Sequence, residues 1–133
     1  MSDLSPGWAT DLAVLELSGA TIERRQDHLV IRQPANPDFH WGNCVFVTDS
    51  ETLDDPSRWV EVFQHHFPDA DWVALGLVQL PNDATAWTDL GLLLELDDVL
   101  TTRSLPALSP LPDGYTVRRL TGPDWELAVA RSL

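Results

Sequence analysis

Three consecutive stretches constrain this chain most. Asn43–Thr48 (NCVFVT) is a short run rich in apolar and β-branched residues, Pro56–Phe67 carries a helical apolar period, and Trp72–Val78 (WVALGLV) is apolar at nearly every position. A strand that is apolar on both faces needs cover on both, so it belongs inside a sheet flanked by helices. The helix between the two strands is the clearest element. Asp55 stands at its N-cap and Pro56 at its first position, where the missing N–H costs nothing. Trp59, Val60, Phe63 and Phe67 form the apolar stripe. His65 and His66 fall in the last turn, where they favour the helix dipole, and Pro68 stops the helix.

The flanking segments complete an α/β (α+β) pattern. Residues 8–18 (WATDLAVLELS) place Trp8, Leu12 and Leu15 at helical spacing behind Thr10 as N-cap, although Leu12–Leu17 is apolar enough to read as a buried strand. Thr21–Arg25 and His28–Gln33 alternate on either side of Gln26-Asp27, which is a hairpin pattern with Leu29 and Ile31 on one face and His28, Val30 and Arg32 on the other. Pro81-Asn82-Asp83 caps a short helix, Ala84–Leu90, that Gly91 ends. Strands are expected at Leu92–Leu100 and Tyr115–Leu120, and a helix at Pro123–Arg131. Residues 104–114 hold three Pro and one Gly and read as a linker. The expected fold is a mixed, largely antiparallel sheet around a central strand–helix–strand, with helices on both faces. It divides into a domain over 1–103, the linker, and the opening strand and helix of a second domain over 115–133.

Charge narrows the partners. The chain carries 21 acidic residues against 8 basic ones, all Arg, for a formal net charge of -13. Nucleic-acid binding needs a basic face, and an anionic membrane surface disfavours the same excess of carboxylates, so neither partner is expected. No apolar run approaches the ~18 residues of a membrane span. The opening MSDLSPGWATD is acidic and unlike a secretion signal. A single cysteine, Cys44, excludes an intramolecular disulfide and fits a reducing cytoplasm.

The order hairpin, strand, helix, strand, helix, strand resembles the core of the GNAT superfamily of N-acetyltransferases. Residues Asn82 to Leu92 (NDATAWTDLGL) are similar to a family motif in which an Asn precedes a short helix and then Tyr-x-x-x-Gly-Phe; Asn82, Ala86, Leu90 and Gly91 match it. Asp27–Asn43 (DHLVIRQPANPDFHWGN) resembles the N-terminal half of certain tandem bacterial acetyltransferases, and Leu111–Leu133 is similar to the first strand and helix of their second domain. The resemblance implies acetyl-CoA as cofactor wherever the family activity is retained. It also implies a pyrophosphate loop between the central strand and the next helix, of the form Arg/Gln-x-x-Gly-x-Gly/Ala, and a general-acid Tyr in the second helix. The corresponding residues here are Asp49–Asp55 (DSETLDD), with four carboxylates and neither Gly nor Arg, and Trp87. At about 4 Å and a dielectric of about 20, a carboxylate–phosphate contact repels by ~4 kcal/mol before screening. An indole N–H is no acid near neutral pH. No catalytic residue and no cofactor bound by this chain are therefore expected.

The remaining candidates are few. His65 and His66 are adjacent on one helix and point to different sides, so no joint chelation is expected. His40 and Cys44 lack further ligands at zinc spacing and read as a packing imidazole and a buried thiol, so no metal site is expected. The richest short segment is Asn36–Asn43 (NPDFHWGN), a tight turn carrying the apolar anchors Phe39 and Trp41, both expected to be largely buried. Asn36, Phe39, His40, Trp41 and Asn43 are the candidates for a substrate cleft or an interface; the competing reading is a packed connection. The expectation for the whole chain is an N-terminal, non-catalytic GNAT-like domain that packs against a catalytic GNAT domain in the same polypeptide or a second copy of the chain. The alternatives are an active acetyl-CoA-dependent acetyltransferase and an acidic module for protein interaction.

Overall fold

The computed structural model describes residues 4–132. These divide into two compact units, the first ending at Leu100 and the second beginning at Thr101.

The first unit is a four-stranded mixed sheet with helices on both faces. Its elements are α1 (Pro6–Leu17), β1 (Thr21–Arg24), β2 (His28–Arg32), β3 (Cys44–Val47), α2 (Pro56–His66), β4 (Leu75–Leu77) and α3 (Ala84–Asp89). Strand order follows chain order, with β1–β2 and β2–β3 antiparallel and β3–β4 parallel. The helix α2 makes the crossover that a parallel pair requires.

Alternation along β2 and β3 builds two cores. Leu29, Ile31, Cys44 and Phe46 face α1, where Leu12 and Leu15 close over them. Val45 and Val47 face the other way, onto Leu53, Trp59, Phe63 and Trp87. All four residues of β3 are fully buried, as expected of a central strand covered twice. The helix α2 begins as its sequence dictates: Asp55 accepts from the Arg58 amide at 3.2 Å, with Pro56 following. Trp59 and Phe63 lie on its buried face.

Some expectations are corrected. The cap of α1 is Ser5, not Thr10: Ser5 accepts from the Trp8 amide, Pro6 takes the first position, and Thr10 lies inside, bonding back to the Pro6 carbonyl at 2.8 Å. Of Trp72–Val78 only Leu75–Leu77 pairs as a strand, because Trp72 turns aside to pack against Phe63 and Phe67. Leu92–Leu100 and Tyr115–Leu120 form no strands. A strand exists through its ladder, and among the described residues neither segment has a pairing partner. Leu93 and Leu100 stand in the open.

The second unit contains one helix, α4 (Gly122–Ser132), and no buried residue among those described. Its start is held by Asp124, which accepts from the Thr121 amide and hydroxyl and pairs with both terminal nitrogens of Arg118 at 2.6 Å. These bonds, Arg118 foremost, hold the Asp124 carboxyl far below the usual carboxylate range.

Candidate functional site

Three places combine chemistry with defined geometry. The first is the turn singled out in the sequence. Asn43, at the end of a single 3-10 turn (His40–Gly42), is buried and organises the loop. Its amide nitrogen donates to the carbonyls of Asn36 at 2.9 Å and Phe39 at 3.0 Å, and its oxygen accepts from the Gln33 amide at 3.0 Å. Asn43 is thus a clamp inside the loop. Phe39 and Trp41 are not largely buried: Phe39 is exposed and Trp41 half-buried. Asn43 holds the Phe39 carbonyl, and the Phe39 ring lies outside both cores. Asn36, Phe39 and Trp41 instead line, with Val14, Leu15 and Gln33, a shallow cleft of about 420 Å³ between α1 and the loop. His40 is outside it, exposed, with its ring stacked on Trp72 at 4.1 Å between centroids. Cys44 is a buried thiol whose Sγ–H donates to the Trp41 carbonyl at 3.3 Å; burial pushes its pKa up to about 12. A thiol held protonated in this way is no nucleophile at neutral pH.

The second place is the junction between β3 and α2. Here Asp49 accepts from the Glu51 amide, Asp55 from the Arg58 amide, and Asp54 from the Asp83 amide and the Asn82 side chain. These bonds, the Asp83 amide first, pull the Asp54 carboxyl below its usual range. Two tryptophans hold the junction from behind. Trp59 donates its indole N–H to the Thr52 carbonyl at 3.0 Å, and Trp87 donates to the Leu53 carbonyl at 2.9 Å.

The third place was not legible beforehand. Asp27, at the hairpin turn, accepts from His28 Nδ1 at 2.6 Å and is also paired with Arg58. His28 Nε2 lies 3.4 Å from His66 Nε2, and His66 Nδ1 lies 3.3 Å from an Arg32 nitrogen. Arg32 also donates to the His66 carbonyl at 2.8 Å and lies over the Phe67 ring. His66 lies in the last turn of α2, as read from the sequence, and its ring meets β2. The only available signal was His28 and Arg32 sharing one face of a strand that alternates. Beside this network, Arg24, Arg25 and Arg58 line a cleft of about 820 Å³ together with Asp27 and Asp49. Among the described residues, no three potential ligands group as a metal site, and no helix is long and apolar enough to cross a membrane. No protein-family model, curated protein or solved structure matches the chain.

Proposed function

We propose that residues 1–103 act as a GNAT-like, non-catalytic domain of an acetyltransferase-family protein. Their work is to pack against a catalytic domain in the same polypeptide or against a second copy of the chain. The observation that carries this reading is the β3–α2 junction. An acetyl-CoA pyrophosphate brought to that helix start would meet the carboxylates of Asp49, Asp54 and Asp55, with the first-turn amide of Arg58 already engaged. The position that resembles the family's general acid is Trp87, whose N–H is buried and committed to Leu53. Within residues 1–103, exposed apolar side chains at Leu93, Leu96 and Leu100 support a packing role.

Calorimetric titration of the full chain with acetyl-CoA tests the reading. No saturable heat is expected up to millimolar cofactor. A dissociation constant of ~100 μM or tighter, roughly 5.5 kcal/mol of binding, overturns it in favour of an active acetyltransferase.

A further inference from the structure

The bonds from Arg32 to Asp27 run in one direction. Arg32 has only protons to offer, so His66 Nδ1 must accept and its proton sits on Nε2. That proton points at His28 Nε2, which must also accept, so the His28 proton sits on Nδ1 and is donated to Asp27. Both imidazoles are then neutral and of opposite tautomer, and each of their nitrogens is engaged. The arrangement also disfavours a metal between the two rings, because a ligating His66 Nε2 would force a proton onto Nδ1 against the Arg32 guanidinium.

We propose that the chain Arg32–His66–His28–Asp27 is a proton-sensitive latch fastening the last turn of α2 to β2, and that one added proton loosens it, leaving the bond from Arg32 to the His66 carbonyl in place. A proton on His28 Nε2 faces the proton already on His66; a proton on His66 Nδ1 faces Arg32. Either site of protonation breaks a bond between the helix and the strand. The charges nearest His66 resist a proton on it. Arg25 and Arg32 from the hairpin and His65 from α2 lie near His66, while Asp27 is shared with Arg58. Burial, then the charges of His28, Arg32, His65 and Arg25, hold the His66 imidazole below its ordinary pKa. The folded state therefore resists a proton that the unfolded chain accepts. Stability from the latch is complete above the ordinary value of about 6.5 and falls as pH drops through it. Opening would loosen Phe67, which closes α2 by its amide bond to the Phe63 carbonyl at 2.8 Å and stacks on the Phe63 ring.

Long-range proton–nitrogen spectra of the full chain test the idea directly. At pH 8 the expected result is opposite tautomers, Nδ1–H on His28 and Nε2–H on His66. From pH 7.5 to 5.5, hydrogen-exchange protection of the Phe67 amide, corrected for intrinsic rate, should fall by up to about tenfold, because the lower pH lies one unit below the ordinary histidine value of about 6.5. In the double variant His28→Gln/His66→Gln the acid-dependent part of that loss should vanish. Identical tautomers in the native chain overturn the proposal whether or not the variant folds. So does a Phe67 protection that ignores pH, or an acid response that survives in His28→Gln/His66→Gln.

Discussion

The indole N–H of Trp87 is bonded to the carbonyl of Leu53, 34 positions away in sequence, while Trp59 from α2 is bonded to the carbonyl of Thr52. Two neighbouring peptide groups of one loop are thus held by two buried indoles from different helices. The loop in question joins β3 to α2, so the carboxylates of Asp49, Asp54 and Asp55 are presented by a braced backbone.

Trp87→Phe is expected to keep much of the apolar burial and leave the Leu53 carbonyl without its partner, costing about 1–3 kcal/mol. Trp87→Ala adds the lost side chain and should cost ~3–5 kcal/mol. Urea denaturation of the two variants separates the contributions. A Phe variant as stable as the parent would show that the bond does not brace the loop.

Asn43→Ala removes an amide that serves four backbone partners, the Gln33 amide and the carbonyls of Asn36, Pro37 and Phe39. A loss of about 2–3 kcal/mol is expected from unsatisfied buried groups. Phe39→Ala, at an exposed ring, should cost under ~1 kcal/mol. Comparable losses at the two sites, measured by thermal melting, would contradict the clamp.

Gly76 lies in β4, and a Cβ there would approach Phe46 Cδ2 at 2.5 Å and Trp8 Cη2 at 3.2 Å. Phe46 is fully buried, so its ring can shift only by disturbing the core around it. Gly76→Ala is expected to cost ~1–3 kcal/mol through overpacking. Gly19→Ala meets no atom, so its expected cost, typically about 1 kcal/mol, comes from the positive φ of 95° alone. A crystal or solution structure of Gly76→Ala should show Phe46 displaced.

Cys44, with its pKa raised to about 12 and no exposed surface, should resist a thiol reagent at pH 8 in the native chain and react fully in urea. Its labelling rate therefore reports opening of the sheet. Prompt labelling under native conditions would contradict the burial of β3.

Burial raises the Asp27 carboxyl, but the His28 bond and charge, its own backbone amide and Arg58 outweigh it and leave Asp27 below its usual value. The folded state then binds this proton less readily than the unfolded state, so the stabilisation is present above pH ~4 and is lost as pH falls through that value. The parent should lose more stability between pH 5 and pH 3 than Asp27→Asn. Equal losses in the two melting curves would contradict it.

The exposed apolar residues beyond Leu92 lead to an expectation about association. Light scattering should show the full chain self-associating, and a version ending at Pro110 doing so less. Equal monomers of equal stability would remove the support those residues lend to a packing role.

The sequence alone determined what local contacts can specify. Asp55-Pro56 starts α2, Asp83 caps α3, the hairpin turns at Gln26-Asp27, and the apolar run Cys44–Val47 marks a buried strand. Each is settled by groups within a few residues of one another. Only the tertiary structure decided which apolar segments acquire a ladder. The pattern in Leu92–Leu100 is strand-like, yet a strand needs a partner edge that no period encodes. The same holds for the chemistry. Two rings 38 positions apart, His28 and His66, meet because β2 pairs with β3 and α2 crosses back over that pair. Phe39 stands in the open, in neither core, although its place in the turn reads as an apolar anchor. Chain closure over such distances is a property of the packed sheet, and it turned a histidine expected to serve a helix end into one link of a hydrogen-bonded chain.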